Sequence, residues 1–292
     1  MRRFVAILTV AMIGSVAGSN LLRGEEGPMI DVINLPFNTS ADEDDPHVAE
    51  GGLALYYTHT GKGTESIRVA ERRGGAAWPA KTFLIDDYVN NKGETRGAFA
   101  TRGSYPQFLF FSARDEKGKN YDLFVAIKQG KDKVWSAPTP VMNVNTAADE
   151  CFPWITGDGK SLYFSRKTKE GWKLMVSLRT NASGPQGWRE PEEVMLPVGF
   201  HHATFTPDGK TMILQGPLEK GRWGLFLSKK TAKEWAEPEP IAGLNHPEGK
   251  IGDRAPNLSR DGANLYFASD RPGGKGGLDV YAVKMSNVLK KK

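Results

Sequence analysis

Apolar and polar positions recur along the chain in one fixed order: a short apolar strand, a turn, a bulky apolar triplet and a third apolar strand. The triplets are Leu55-Tyr56-Tyr57, Leu109-Phe110-Phe111, Leu162-Tyr163-Phe164, Met212-Ile213-Leu214 and Leu265-Tyr266-Phe267, and their first residues lie 54, 53, 50 and 53 positions apart. Nine residues before each triplet stand Pro46, Ala100, Pro153, Ala203 and Pro256. Two residues further on come Val48, Arg102, Ile155, Phe205 and Leu258, so the second unit alone breaks the apolar rule. Asp158-Gly159, Asp208-Gly209 and Asp261-Gly262 supply tight-hairpin chemistry between the first two strands. The third strands read Ser66–Val69, Tyr121–Val125, Lys173–Val176, Gly224–Leu227 and Leu278–Tyr281. Trp78, Trp135, Trp188 and Trp235, each with a nearby proline, close four units and lead into a fourth strand such as Pro140–Val144. Their rings are expected to cap the gaps between neighbouring sheets.

The fifth unit has no closing tryptophan and no room for a fourth strand before Lys292. The missing strand is found at the other end of the chain, in Met29–Asn34. The segment that follows, Asn38-Thr39-Ser40-Ala41-Asp42-Glu43, repeats as Asn145-Thr146-Ala147-Ala148-Asp149-Glu150 at the start of the third unit. A sheet of four strands cannot bury both faces alone, whereas five stacked radially can, and closure removes the open edge. The predicted fold is all-β: a five-bladed β-propeller of four-stranded antiparallel blades, with the N-terminal strand joining the C-terminal blade.

Composition agrees with a turn-rich core and adds a compartment. The 292 residues are 39% apolar, 25% charged and 10% aromatic, with 33 glycines and 18 prolines; that excludes a disordered chain. The net charge of +5 includes no dense basic stripe, so nucleic acid is not an expected partner. Arg2-Arg3, the apolar run from Phe4 and small residues up to Gly18 read as a secretory signal, too short to span a bilayer. The expected division is 1–18 signal peptide, 19–27 linker, 28–287 propeller and 288–292 basic tail. The mature chain is expected to be a monomer, periplasmic or extracellular, with no transmembrane anchor. Cys151 is the single cysteine, so no internal disulfide is possible, and beside Phe152-Pro153-Trp154 it reads as a buried apolar residue.

The stretch Pro256–Arg271, running on through Pro272-Gly273-Gly274-Lys275-Gly276-Gly277 to Tyr281, resembles the WD40-like propeller repeat of TolB-type periplasmic proteins, also found beside OmpA-like envelope domains. Asp158–Ser165 and Asp208-Gly209-Lys210 share the likeness. It covers most of 28–287 and is loosest in the first two units. The resemblance implies a module that binds proteins or peptides at one face of the ring, here without the appended domains that accompany such repeats elsewhere.

In a ring of this kind the loops leading into the five innermost strands converge on one funnel. They carry Asp42, Glu43, Asp44, Asp45 and His47; Arg96; Asp149 and Glu150; His201 and His202; Asp253 and Arg254. The candidate ligand-binding residues are Glu43, Asp44, His47, Asp149, Glu150, His201, His202, Asp253 and Arg254. Carboxylates and imidazoles around one axis suit a divalent ion, and two acids at the right separation suit glycoside hydrolysis. The bland alternative is pairing within and between blades. No HExxH, GxSxG, paired CxxC or phosphate loop occurs, and Gly273–Gly277 joins two strands as a hairpin. Adjacent His201 and His202 point to opposite faces of a strand, which argues against both holding one metal. No cofactor, metal or catalytic residue is assigned. The expectation is a non-enzymatic recognition module for a protein, peptide or envelope glycan; the alternative is a carbohydrate-active enzyme using funnel carboxylates.

Overall fold

In a computed structural model of the chain, residues 28–289 are described, apart from 86, 92, 102–104, 115–117, 119 and 181–183. The signal segment, the linker, Arg102 and the tail at 290–292 lie outside the described residues. Strand β1 is Ile33–Asn34. The first blade comprises β2 (Asp42–Ala49), β3 (Ala54–Gly61), β4 (Thr64–Glu71) and β5 (Phe83–Leu84). The second comprises β6 (Glu94–Ala100), β7 (Gln107–Arg114), β8 (Asp122–Lys128) and β9 (Thr139–Pro140), and the third β10 (Glu150–Ile155), β11 (Ser161–Lys167), β12 (Trp172–Leu178) and β13 (Glu192–Glu193). The fourth comprises β14 (His201–Phe205), β15 (Thr211–Pro217), β16 (Trp223–Lys229) and β17 (Glu239–Pro240). In the fifth, β18 (Asp253–Leu258), β19 (Asn264–Ser269) and β20 (Asp279–Lys284) are joined by β1, giving the order β1-β20-β19-β18. Ile33 faces Ala282 and Asn34 faces Tyr281, so the ring closes through its two ends as expected.

The triplets pack with a simple alternation. Tyr56, Phe110, Tyr163, Ile213 and Tyr266, the middle residues, turn toward the following blade, while the outer two turn toward the preceding one. Five apolar layers result, one between each pair of neighbouring blades, and every triplet feeds two of them. Trp78, Trp135, Trp188 and Trp235 each enter the layer between their own blade and the one before. Full burial of such side chains stabilises by about 1.5–3 kcal/mol each, so the layers hold the ring together.

Two expectations about register are corrected. Ala100, not Arg102, faces the first residue of its triplet, Leu109; its counterparts are Val48, Ile155, Phe205 and Leu258. The connection between the first two strands of the second blade is two residues longer than in the others, which shifts the apparent phase. The apolar rule therefore holds in all five units, and Ala98 is the counterpart of Pro46, Pro153, Ala203 and Pro256. The fourth strands are also shorter than read, two residues each. Pro140 and Pro240 have no N–H to give a ladder, and an asparagine amide takes over beyond them. Asn145 accepts from Leu123 N–H and donates to Leu123 O, and Asn38, Asn90 and Asn245 do the same for Val280, Ile67 and Leu225.

The glycine-rich hairpin between β19 and β20 latches the closure. Leu278 N–H donates to Asp42, and a Cβ on Gly276 would stand 1.8 Å from the Ala41 carbonyl oxygen, so only glycine fits there. Among the described residues no helix is long and apolar enough to cross a membrane.

Candidate functional site

Every innermost strand breaks register at one place, between Asp44 and His47, Arg96 and Phe99, Cys151 and Trp154, His201 and Ala203, and Arg254 and Asn257. At each β-bulge one residue is left-handed: Asp45 (φ 49), Gly97 (61), Phe152 (59), His202 (48) and Ala255 (53). For the four that are not glycine this conformation costs about 1–2 kcal/mol each, so the surroundings must impose it. Part of the imposition comes from the preceding blade. The bulge N–H groups of Gly97, Phe152, His202 and Ala255 donate to Thr58 Oγ1, Ser112 Oγ, Ser165 Oγ and Gln215 Oε1 at 2.9–3.1 Å. At the ring junction the matching residue is Ala268, which has no acceptor, and Asp45 N–H turns instead to Asp44 Oδ1 at 2.8 Å.

These bulges aim Asp45, Phe152 and His202 at the axis, with Asp44, Arg96 and Arg254 just above. Arg96 lies 3.1 Å from Asp44, 2.9 Å from Asp45 and 3.0 Å from Glu65; Arg254 lies 2.9 Å from Asp44. Burial opposes the charge on Arg96, but Asp45, Glu65 and Asp44 overcome it and hold its proton more tightly than usual. Burial raises the proton affinity of Glu65, and Arg96 and the Tyr121 hydroxyl, which donates at 2.7 Å, only partly offset it. The Phe152 and His202 rings stack at 4.1 Å and 9°. Burial pushes His202 down to about 3, so its ring is neutral near pH 7. Asp45 Oδ1, His202 Nδ1 and Arg254 Nε are buried without a hydrogen-bond partner, the first two 3.9 Å apart. Asp45 and His202 line a cavity with His47, Phe99 and Trp154 that leaves about 20 Å³ for the centres of water-sized molecules, enough for one.

Of the nine residues singled out from sequence, Asp44, His202 and Arg254 meet at the axis. Glu43 and Glu150 are fully buried within their own blades. Glu43 accepts from Thr39 N–H and Oγ1 and contacts His59; Glu150 accepts from Thr146 N–H and Oγ1 and from Arg166. Asp253 likewise accepts from His246 N–H and from Arg271, at 2.7 Å each. The repeated Asn-Thr-x-Ala-Asp-Glu is thus a loop-capping device. Asp149 accepts from Tyr121 N–H in the second blade. His47 lies below the bulge ring between Ala100 O and Asn257, and burial lowers it to about 4. His201 turns away from the axis to stack on Trp172 at 5.1 Å, and burial lowers it to about 3. Cys151 is buried, which pushes its thiol up. Among the described residues no group of three or more His, Cys, Asp or Glu side chains is placed to hold a metal ion.

Phe152 and Glu65 reach the site without being funnel-loop candidates, and Asp45 and Arg96 are funnel-loop residues outside the nine. The bulge residues did leave a signal: each directly precedes the position occupied by Pro46, Ala98, Pro153, Ala203 or Pro256. Glu65 enters from a third strand and left none.

No protein-family model matches the sequence, and no curated protein matches it. Solved structures do. A GH62 alpha-L-arabinofuranosidase catalytic domain from Coprinopsis cinerea superposes with a TM-score of 0.58 at 13% identity, over 88% of this chain and 95% of that one. A thermostable family-43 glycoside hydrolase gives 0.60 at 14%, over 86% and 92%. A putative TolB from Agrobacterium tumefaciens gives 0.53 at 13%, over 88% and 84%. At such identities the likeness shows the fold alone: a five-bladed ring shared by glycoside hydrolases and by TolB.

Proposed function

We propose that the chain is an exported, non-enzymatic recognition module of the TolB type, whose funnel face binds a protein, peptide or cell-envelope glycan. The observation that carries this reading is the state of the axial carboxylates. Asp44, Asp45 and Glu65 all come from one blade and are held by Arg96 and Arg254 at 2.9–3.1 Å. Glycoside hydrolysis needs a proton donor and a base or nucleophile on either side of a sugar ring, roughly 5–9.5 Å apart. Here a guanidinium occupies the space between the acids, and the room left suits a water molecule. Arg254, whose side chain is 19% exposed beside Asp44, is the cation of the pair able to meet an acceptor on an incoming ligand.

A second reading, a carbohydrate-active enzyme, is favoured by the unpartnered Asp45 Oδ1 beside Glu65, whose proton affinity is raised. Two measurements separate them. Purified protein incubated with arabino- and xylo-oligosaccharides is expected to release no product; turnover abolished by Asp45→Asn would establish the enzyme instead. Retention on immobilised envelope extract is expected to weaken in Arg254→Ala while the fold persists, and unchanged retention counts against the funnel as the binding face.

A further inference from the structure

The face opposite the funnel is built from the turns between first and second strands and the connections between third and fourth. Residues 28–289 hold 33 basic and 32 acidic residues, a net of +1. The opposite-face segments 50–53, 72–82, 129–138, 156–160, 179–191, 206–210, 230–238 and 259–263 hold 12 basic and 8 acidic, a net of +4, so the rest of the body carries −3. Ten of those twelve cations are exposed. Among the described residues none of the twelve forms an ion pair, whereas Arg96, Arg114, Arg166, Lys173, Arg254 and Arg271, all in the funnel half, do.

The cations on this face are also arranged. In each of four blades a cation lies over the closing tryptophan: Arg72 over Trp78 at 4.0 Å, Arg179 over Trp188 at 4.4 Å and Lys230 over Trp235 at 5.8 Å, with Lys128, the last residue of β8 and outside the twelve, over Trp135 at 5.8 Å. The ring restrains the stem and reduces the ordering cost of a contact with an anion. Arg179 has a buried Nε with no partner, and burial alone lowers its hold on the proton. Exposed apolar side chains stand beside these cations: Leu53 (41% exposed), whose carbonyl accepts from Arg72 N–H, Val134 (63%) next to Lys133, and Leu178 (51%) next to Arg179.

We propose that this face docks on an anionic lipid surface. Cations spread around a circle, with exposed apolar side chains beside them in the first three blades, match a plane of negative headgroups over an apolar layer. A nucleic acid or other linear polyanion would instead be matched by a stripe or groove of charge. The docking would leave the funnel face open to its own ligand.

The test is co-sedimentation of the full chain with phosphatidylcholine vesicles containing about 30% phosphatidylglycerol, against phosphatidylcholine alone. Binding is expected only to the anionic vesicles, and is expected to fall steeply between about 0.05 and 0.5 M salt. Each cation near the surface contributes roughly a fivefold factor in partitioning. The variant Lys133→Glu/Lys160→Glu/Lys210→Glu/Lys233→Glu should therefore lose more than a hundredfold. A control with the same change of charge on the funnel side, Lys62→Glu/Lys169→Glu/Lys220→Glu/Lys250→Glu, should lose far less. Thermal melts establish that both variants fold; should either not, the salt and lipid dependence of the unaltered chain decides. No binding to the anionic vesicles, equal losses in the two variants, or binding to heparin or single-stranded DNA with none to vesicles would each overturn the proposal.

Discussion

The two ends of the ring are built from the same repeat and treat charge in opposite ways. In the funnel half, carboxylates and guanidiniums are drawn together behind blade edges: Glu150 with Arg166, Asp253 with Arg271, and Asp44 and Asp45 with Arg96 and Arg254. On the opposite face the turn acids Asp158, Asp208 and Asp261 bond only their own loops, and each titrates lower than usual because the neighbouring Thr or Ser hydroxyl and a backbone N–H donate to it. The difference teaches where electrostatics acts on stability and where it acts on encounter. Buried charges that lose a partner are expensive, while exposed charges contribute little to folding but shape the field a partner meets.

That contrast can be broken most severely with acid. His47 and His201 are buried and His202 is largely so, and all three are held neutral, at about 4, 3 and 3, whereas the unfolded chain takes up protons at about 6.5. Below pH 6.5 the unfolded state binds more protons, so stability falls until the folded-state values are reached. At pH 5 each ring should remove up to about 2 kcal/mol. Urea midpoints are expected to drop between pH 7 and pH 5, with a shallower drop in His47→Gln; a flat profile would mean the rings are accessible. Next in size is Arg96→Met, which leaves buried Asp45 and half-buried Glu65 without their cation and should cost about 3 kcal/mol in denaturant titration. Arg254→Met should cost less, because Arg96 still holds Asp44.

Glu150→Gln tests the loop-capping role and should lower stability by about 1–2 kcal/mol without altering retention on envelope extract. Lost retention in a folded Glu150→Gln protein would return that side chain to the binding site. The smallest effect is expected from the fourfold lysine reversal on the opposite face: no measurable change in the unfolding midpoint, despite the large change in net charge. A midpoint lowered as far as that of Arg96→Met would erase the distinction between the two ends.

Much of the architecture was legible because a β repeat imposes period and spacing on apolar residues. The triplets, the hairpin turns, the tryptophans and the completion of the fifth blade by the N-terminal strand could all be read from residue type alone. The funnel was legible only as a neighbourhood. Glu43, Glu150 and Asp253 look in sequence like Asp44 and Arg254, yet a one-residue difference in position turns a side chain into its own blade or toward the axis. The longer turn of the second blade similarly lent Arg102 a place that belongs to Ala100.

By itself, then, the order of residues determined the number of blades, the strands within them and the closure of the ring, since those follow from local alternation and turn chemistry. Which side chains meet at the axis, and which cations are left uncompensated, was decided only by the folded ring. The first depends on a bulge in each innermost strand and on contacts between blades, as far apart as Asp44 and Arg254; the second depends on which end of a blade each turn lies at, and no local pattern encodes either.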